Sequence, residues 1–302
     1  MAHVIDGNAL AEELRQSIDD EFQVLRLSEV KPGLATVIVG EDGGARAYER
    51  HVRQLAEGLE YHYTCEELPA GVEVADVLAT IGKLNADPRV TGILVLHPLP
   101  DHLPEAEINT AIDPLKDIEA AHPANTGLLA QGRPRFVPST PASCFYLLDS
   151  YARSIGADPA GFYTGRTLVV VGRSNSVGKP AQWLGLQRNA TVIACHSRSR
   201  ELADYTRQAD ILIVAAGVRG LVTGEMVREG VVAVDVGFHI AKDERTGKNR
   251  IVGDLDFESV SARAAAISPV PGGVGPITDV WLIGNTLVAA GIVARVEPRF
   301  GR

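Results

Sequence analysis

The sequence lacks the features that mark several common protein classes. Its three cysteines, Cys65, Cys144 and Cys195, are scattered without a CxxC pair, which indicates neither a disulfide framework nor a zinc site. Acidic residues outnumber basic ones by 38 to 29, and a nucleic-acid partner would require a basic face. No apolar run approaches the roughly 20 residues of a membrane helix, and Asp6 and Glu12 stand where a signal peptide would be basic or apolar. We therefore expect a cytoplasmic protein with no metal site, no nucleic-acid partner and no membrane segment.

Aromatic residues are also scarce, whereas glycine is abundant. Aromatics make up 5% of the 302 residues, and glycine occurs 30 times. The hydrophobic share of 45% and the charged share of 22% are ordinary for globular proteins and exclude disordered and fibrous classes. A chain of this length accommodates two domains of about 150 residues each. So many glycines are typical of tight strand-to-helix turns, and their positions decide whether they mark a nucleotide site.

Apolar, strand-like runs alternate with amphipathic helical stretches in both halves of the chain. The predicted strands are 34–40, 61–67 and 91–100 in the first half, and 166–172, 190–195, 209–217 and 230–237 in the second. This alternation predicts α/β domains with parallel sheets covered by helices. Residues 113–142 between the halves are rich in Pro, Gly and polar residues with little regular period, and are either a functional loop or an interdomain linker.

The strongest local motif is VVVGRSNSVGKP at 169–180. A predicted strand ends at Gly172, and Gly178 opens a helix whose N-terminal N–H groups and dipole favour a pyrophosphate. The G-x5-G spacing meets the usual dinucleotide fingerprint only in part. A tight turn without a ligand is therefore the alternative interpretation.

The end of the following strand indicates which dinucleotide would bind. An NAD site places an acid about 20 residues after the first glycine, to hold the ribose hydroxyls. Here the chain has His196, Ser197 and Arg198, which suit a 2′-phosphate, and Arg173 offers a bidentate contact. A solvated basic strand end would look the same, but the position favours NADP over NAD. The predicted cofactor contacts are Gly172, Arg173, Ser174, Val177, Gly178, His196, Ser197, Arg198 and Gly217.

Several segments, in order and spacing, resemble the bifunctional methylenetetrahydrofolate dehydrogenase/methenyltetrahydrofolate cyclohydrolase family. In the second half they are VVVGRSNSVGKP, CHSRSRELADYTRQADILIVAAG, VVAVDVG, VGDLDFESV and SPVPGGVGPIT. In the first half they are IDGNALAEELR, VIVGEDGGARAY, GILVLHPLP and DPLKDIEAAHPANTGLL. The resemblance therefore covers nearly the whole chain.

The resemblance implies a two-domain α/β enzyme with its substrate in a cleft between the domains. Residues 1–142, completed by a C-terminal helix at 278–302, would form a three-layer folate domain, and residues 143–277 an NADP-binding Rossmann domain. The family oxidises 5,10-methylenetetrahydrofolate by hydride transfer to NADP+ and hydrolyses the methenyl product. The implied partners are a tetrahydrofolate one-carbon derivative and a second copy of the chain in a homodimer. The implied substrate-binding residues are Tyr48, Leu96, Glu119, Pro271, Gly272 and Gly273.

The folate half departs from the family's pattern. The family helix reads S-x-x-Y-x-x-x-K, and this sequence keeps Tyr48 but has Ala45 and Val52 at the serine and lysine positions. Leu96 replaces a glutamine in VLHPLP, and Glu119 replaces an aspartate in KDIEA. Valine cannot supply a cation or a proton, whereas hydride transfer asks mainly for alignment of the cofactor. We therefore expect the dehydrogenase activity to be kept and the cyclohydrolase activity to be weak or lost.

Two histidines are candidates to replace the lysine. His51 lies one helical turn after Tyr48, and His97 follows Leu96 at a strand end. Both are predicted to be catalytic together with Tyr48, since imidazole titrates near neutral pH. The alternatives are a solvated helix histidine and a packed strand-end histidine. Asp279 either faces the pterin or is an ordinary acid in the first turn of a helix.

Two further functions compete with the folate dehydrogenase. One is a paralogue that uses a one-carbon or imine substrate in a specialised pathway. The other is a catalytically silent folate-binding partner protein. The intact motif around Gly172, Arg173 and Gly178 argues against the silent protein, because such a protein has no chemical use for it.

Overall fold

The chain folds into two compact α/β units. The computed structural model describes residues 2–25, 30–242, 248–296 and 300. The six-stranded unit comprises Met1–Glu13 and Ser139–Thr278, and the three-stranded unit comprises Leu14–Pro138 and Asp279–Arg302. The α/β class expected from the sequence is confirmed.

The elements follow one another in the expected alternation. The strands in the described residues are β1 (His3–Val4), β2 (Gly33–Val39), β3 (His62–Leu68), β4 (Gly92–Val95), β5 (Thr167–Val171), β6 (Thr191–Cys195), β7 (Ile211–Val214), β8 (Val232–Asp235), β9 (His239–Lys242), β10 (Asn249–Val252) and β11 (Ala266–Ile267). The helices there are α1 (Gly7–Leu25), α2 (Gly43–Gly58), α3 (Val74–Ala86), α4 (Glu105–Ala111), α5 (Pro123–Ala130), α6 (Ser139–Ser154), α7 (Pro159–Phe162), α8 (Gly178–Gln187), α9 (Leu202–Thr206), α10 (Phe257–Ser261) and α11 (Val274–Ala294).

The three-stranded unit is built on the parallel sheet β3-β2-β4. Every residue of the central strand β2 is buried, as expected for a parallel strand covered on both faces. Apolar side chains of α3, such as Val77 and Ile81, pack with those of the sheet in one core cluster. This core fixes the carboxyl ends of the strands, from which the loops to α2 and α4 depart.

Helix α2 divides its residues between core and surface. Asp42 caps its first turn by accepting a hydrogen bond from the backbone N–H of Ala45 at 2.8 Å. The buried face carries Ala45, Glu49, Val52 and Ala56, spaced by three or four residues. Val52 is fully buried and is therefore part of the core.

The segment 113–142 has more regular structure than the sequence indicates. It contains α5 and the start of α6. His122 caps α5 by accepting a hydrogen bond from the backbone N–H of Ala124 through Nδ1 at 3.0 Å, and Pro123 occupies the first helical position. The segment's ends are held together by Asn285 on α11, whose side-chain N–H groups donate to the carbonyls of Ile118 and Val137 at 2.7 and 2.9 Å.

The six-stranded sheet has the order β1-β11-β8-β7-β5-β6, with every neighbouring pair parallel. The chain runs from β5 to β6 on one side and then returns to β7 on the other. Strand β5 therefore lies at a topological switch point, where open α/β sheets bind ligands beyond the carboxyl ends of their strands. Strands β9 and β10 form a separate antiparallel pair.

The first residues of the chain lie in a different unit from the one predicted for them. Residues 1–142 are predicted to form one domain, but β1 pairs with β11 in the six-stranded sheet. His3 aligns with Ala266 and Val4 with Ile267. The first 13 residues therefore belong to the six-stranded unit.

Helix α11 is a longer apolar segment than expected from the sequence, in which no run was predicted to approach the length of a membrane helix. Its 21 residues are long and apolar enough to cross a membrane by length and composition alone. However, 67% of its most apolar window is buried inside the protein, as in a core helix. In the sequence, Asp279 and Asn285 interrupt the apolar run and hide its length.

Candidate active site and nucleotide site

Tyr48, His51 and Asp279 lie together in the three-stranded unit. Tyr48 and His51 are one turn apart on α2, and Asp279 lies in the second turn of α11. The His51 Nε2 atom is 2.9 Å from Oδ2 of Asp279. The Asp279 carboxylate also lies close enough to the Tyr48 phenol to raise the pKa of that phenol. One carboxylate therefore contacts His51 and acts on Tyr48, the two site residues predicted on this helix.

Burial and negative charge govern the titration of this cluster. Burial raises the pKa of the Tyr48 phenol, and the charges of Asp279 and Glu119 raise it further. Burial also raises the pKa of Asp279 above its ordinary value, although contact with His51 and Tyr48 opposes this change. The phenol consequently stays protonated at neutral pH and serves as a hydrogen-bond donor.

The opposite side of Tyr48 is apolar. Ile38, Ala45 and Leu96 form a small buried cluster, and Tyr48 packs against it. The side chains of Ala45 and Leu96 are apolar, so neither offers a hydrogen bond to Tyr48. The surroundings of Tyr48 therefore combine an apolar wall with a carboxylate and an imidazole.

His97 does not join this cluster. Its Nε2 atom lies 3.4 Å from Oε1 of Glu105 on α4, and both side chains are about half exposed. Of the two predicted catalytic histidines, only His51 is brought to Tyr48 in the described part of the chain. Its proximity to the family's tyrosine makes His51 the stronger candidate.

Lys116 and Asp117 serve the local structure. The Lys116 Nζ group donates to the carbonyls of Leu84, Asn85 and Asp87 at 3.1, 2.7 and 2.8 Å, at the end of α3. The buried Asp117 carboxylate accepts hydrogen bonds from the backbone N–H groups of Ala121 and His122 and from the Asn125 amide. Both residues fix the loop that carries Glu119.

The turn after β5 accepts only glycine at two positions. Gly172 has φ +137°, and a Cβ atom there would lie 2.3 Å from the carbonyl oxygen of Ala215, which follows β7. A Cβ atom on Gly178 would lie 2.3 Å from the carbonyl oxygen of Gly172. The Ser174 Oγ atom accepts hydrogen bonds from the backbone N–H groups of Val177 and Gly178 at 3.1 and 3.3 Å. The turn is thus closely packed at the switch point.

The end of β6 presents a basic turn. The His196 Nδ1 atom accepts a hydrogen bond from the backbone N–H of Arg198, and the Ser199 Oγ atom accepts one from the backbone N–H of His196. This turn leaves Ser197 and Arg198 exposed, and Arg173 is exposed on the neighbouring loop. These side chains have the charge and accessibility needed to receive a phosphate.

Gly217 is held by a carboxylate network that the sequence analysis missed. Its backbone N–H and that of Ala216 donate to Oδ2 of Asp254. The Asp254 side chain is fully buried, and its Oδ1 atom lies 2.7 Å from His239 Nε2. Asp235 accepts hydrogen bonds from the backbone N–H groups of Gly237, Asp254 and Leu255, and burial raises its pKa to about 6. The aspartates in VAVDVG and VGDLDF are the only sequence signal for this network.

Pro271, Gly272 and Gly273 lie in the six-stranded unit. The Gly272 carbonyl accepts a hydrogen bond from the backbone N–H of Gly7 at 2.8 Å. A Cβ atom on Gly273 would lie 2.5 Å from the carbonyl oxygen of Pro269. The loop is therefore anchored to the start of α1, and its role in substrate binding stays a prediction.

Comparison with known proteins decides the family. Residues 5–119 match the tetrahydrofolate dehydrogenase/cyclohydrolase catalytic domain, and residues 138–293 match the NAD(P)-binding domain of the same family. The chain belongs to the tetrahydrofolate dehydrogenase/cyclohydrolase family. The resemblance in the sequence is thereby confirmed, and the six-stranded unit contains most of the family's NAD(P)-binding domain.

Relatives in this family match the chain from end to end. The bifunctional protein FolD 3 of Rubrobacter xylanophilus is 57% identical over 99% of this chain and 95% of its own length. The bifunctional protein FolD of Moorella thermoacetica is 44% identical over 96% of this chain and 99% of its own length.

Solved structures of the family share the fold. The bifunctional enzyme FolD from Campylobacter jejuni superimposes with a TM-score of 0.88 at 37% identity, covering 97% of this chain and 100% of its own. The Trypanosoma brucei enzyme, complexed with NADP cofactor and inhibitor, gives a TM-score of 0.87 at 33% identity, covering 98% and 99%.

Proposed function

We propose that the protein oxidises 5,10-methylenetetrahydrofolate with NADP+ as hydride acceptor and that its cyclohydrolase activity is weak. The observation that carries this proposal is the contrast between the closely packed glycine turn after β5 and the altered surroundings of Tyr48. Hydride transfer depends on the first feature, and water addition depends on the second. Family membership supplies the reaction class.

The six-stranded unit has groups that fit NADP. In the turn after β5, Gly172 and Gly178 leave no room for a Cβ atom. This turn leads into the start of α8, where backbone N–H groups favour phosphate. Arg173, Ser197 and Arg198 are exposed and suit the 2′-phosphate. When bound, NADP+ supplies the acceptor for the hydride, while these residues orient it.

The three-stranded unit fits a folate but lacks a cation at the position of the family's lysine. The Tyr48 phenol remains a donor because burial and nearby carboxylates raise its pKa. Val52 is buried in the core, and Leu96 contributes only apolar contact. Water attack on the methenyl carbon therefore proceeds without a lysine to position the water or exchange its proton.

Two assays on the purified protein test the two parts separately. NADPH absorbance with methylenetetrahydrofolate and NADP+ measures oxidation, and loss of methenyltetrahydrofolate absorbance measures hydrolysis. We expect clear NADPH formation, and hydrolysis at least about tenfold slower than in a family member that has the lysine.

A different experimental result would contradict each of the two proposed activities. Hydrolysis equal to that of the lysine-containing enzyme would overturn the weak cyclohydrolase. Absence of NADPH formation, with NADP binding retained, would overturn the dehydrogenase and favour a different imine or one-carbon substrate. The homodimer and the cytoplasmic location remain predictions, and light scattering after gel filtration tests the former.

A further inference from the structure

We propose that His51, oriented by Asp279, is the proton-transfer residue for the hydrolysis that this protein retains. The inference rests on the proposed function, because it concerns water addition to the same methenyl compound. It assigns a catalytic role to His51 and a positioning role to Asp279.

The hydrogen bond between the two residues fixes the state of the imidazole. Because Nε2 of His51 lies 2.9 Å from the Asp279 carboxylate, the neutral imidazole is stabilised with its proton on Nε2 and its lone pair on Nδ1. A carboxylate likewise orients the general base in hydrolases with a catalytic triad, where it contacts the other ring nitrogen. The His51 side chain is 49% exposed, whereas that of Asp279 is 20% exposed. The carboxylate is therefore held inside, and the imidazole is accessible to water and substrate.

The shared carboxylate links His51 to the tyrosine of the family motif. The same Asp279 carboxylate that contacts His51 also raises the pKa of the Tyr48 phenol, so both side chains of α2 lie near it. The titratable groups recorded around this pair are Tyr48 on α2, Asp279 on α11 and Glu119 after β4, which acts on the phenol by its charge. The groups that act on Tyr48 and Asp279 in the described residues are carboxylates, the phenol and the His51 imidazole. Of these, His51 is the side chain whose ring combines a proton donor with a proton acceptor.

Water addition to the methenyl compound and opening of its ring need one proton acceptor that later returns the proton. A water oxygen forms a bond to the methenyl carbon while one water proton passes to Nδ1 of His51. One of the two carbon–nitrogen bonds of the adduct then breaks, and the departing nitrogen keeps the electron pair and takes the proton from Nδ1. The remaining hydroxyl proton leaves to solvent as the formyl C=O forms. The net reaction consumes one water and releases one proton.

His51→Gln and Asp279→Asn test the proposal, with Glu57→Gln as control. Glutamine at 51 retains a hydrogen-bond donor toward Asp279 but cannot shuttle a proton. Glu57 is exposed on the same helix and lies outside the cluster. We expect His51→Gln to lower the ratio of hydrolysis to dehydrogenation at least about tenfold and Glu57→Gln to leave it unchanged.

The pH profile separates proton transfer from a structural role. Hydrolysis by the wild type should rise with pH to a plateau as the imidazole loses its proton. Asp279→Asn removes the negative charge beside the imidazole, so the midpoint of this profile should move to lower pH. In His51→Gln, the residual hydrolysis should no longer show this pH midpoint. A mere loss of protein stability would lower the rate but would keep the midpoint.

Two results would overturn the inference. One is hydrolysis in the wild type that His51→Gln leaves within about twofold, with an unchanged pH profile. The other is undetectable hydrolysis in the wild type while NADPH formation is normal, which would leave the proposed dehydrogenase intact. Absence of both activities would instead count against the proposed function itself.

Discussion

The turn after β5 and the surroundings of Tyr48 are built by different means. At the turn, backbone atoms lie so close together that Gly172 and Gly178 exclude any side chain. Around Tyr48, side chains from α2 and α11 meet through one carboxylate, and apolar residues cover the other side. A site made of backbone tolerates almost no substitution at its glycines, whereas a site made of side chains can exchange one chemical group for another. The first feature therefore depends on backbone geometry, and the second depends on the chemistry of its side chains.

The largest expected effect is at the turn. Gly172→Ala would place a Cβ atom 2.3 Å from the Ala215 carbonyl oxygen at a φ of +137°. We expect a loss of about 2 kcal/mol in the free energy of unfolding and at least a tenfold loss of NADP affinity. Chemical denaturation and a binding titration measure the two quantities. Gly82→Ala on α3 is the control, because a Cβ atom there meets nothing within 4 Å. Normal NADP affinity in Gly172→Ala would show that the turn is not the cofactor site.

A smaller effect is expected from the side-chain site. Tyr48→Phe removes the phenol hydroxyl near Asp279 and preserves the contact with the apolar cluster. We expect kcat for the folate reactions to fall about tenfold while NADP affinity stays unchanged. Steady-state kinetics and a binding titration check this, with Tyr205→Phe, an exposed residue of the six-stranded unit, as control. An unchanged kcat would remove Tyr48 from the catalytic residues.

The smallest expected effect concerns the carboxylates behind the nucleotide site. Burial raises the pKa of Asp235 from its ordinary value of 3.8 to about 6, so the folded protein holds this proton more tightly than the unfolded chain. The contribution of Asp235 to the free energy of unfolding should therefore fall as pH rises from about 4 to about 6 and stay constant above. The difference in stability between the wild type and Asp235→Asn should change across this range by about 1 kcal/mol per pH unit. Denaturation at several pH values measures it, and parallel curves for the two proteins would contradict the assignment.

The structural features that short segments of sequence encode were the easiest to predict. The family, the α/β class and the alternation of elements follow from short segments whose spacing is visible in the chain. The helices within 113–142 were missed because α5 begins with a histidine cap, which composition does not indicate. The contact between His51 and Asp279 joins residues 228 positions apart, so no local pattern predicts it. The pairing of β1 with β11 was missed for the same reason.

The amide of Asn285 has a consequence for how the Glu119 loop can vary. By holding the carbonyls of Ile118 and Val137 together, it closes the intervening segment into a ring whose ends are fixed independently of its contents. The entropy of closing such a ring depends only weakly on its length. Insertions or deletions at the exposed residues 131–134, which follow α5, would therefore add little to the entropy of closure. The buried Asn125 and Leu129 would hold the preceding part of the segment, including the Glu119 loop, while this exposed turn varies in length.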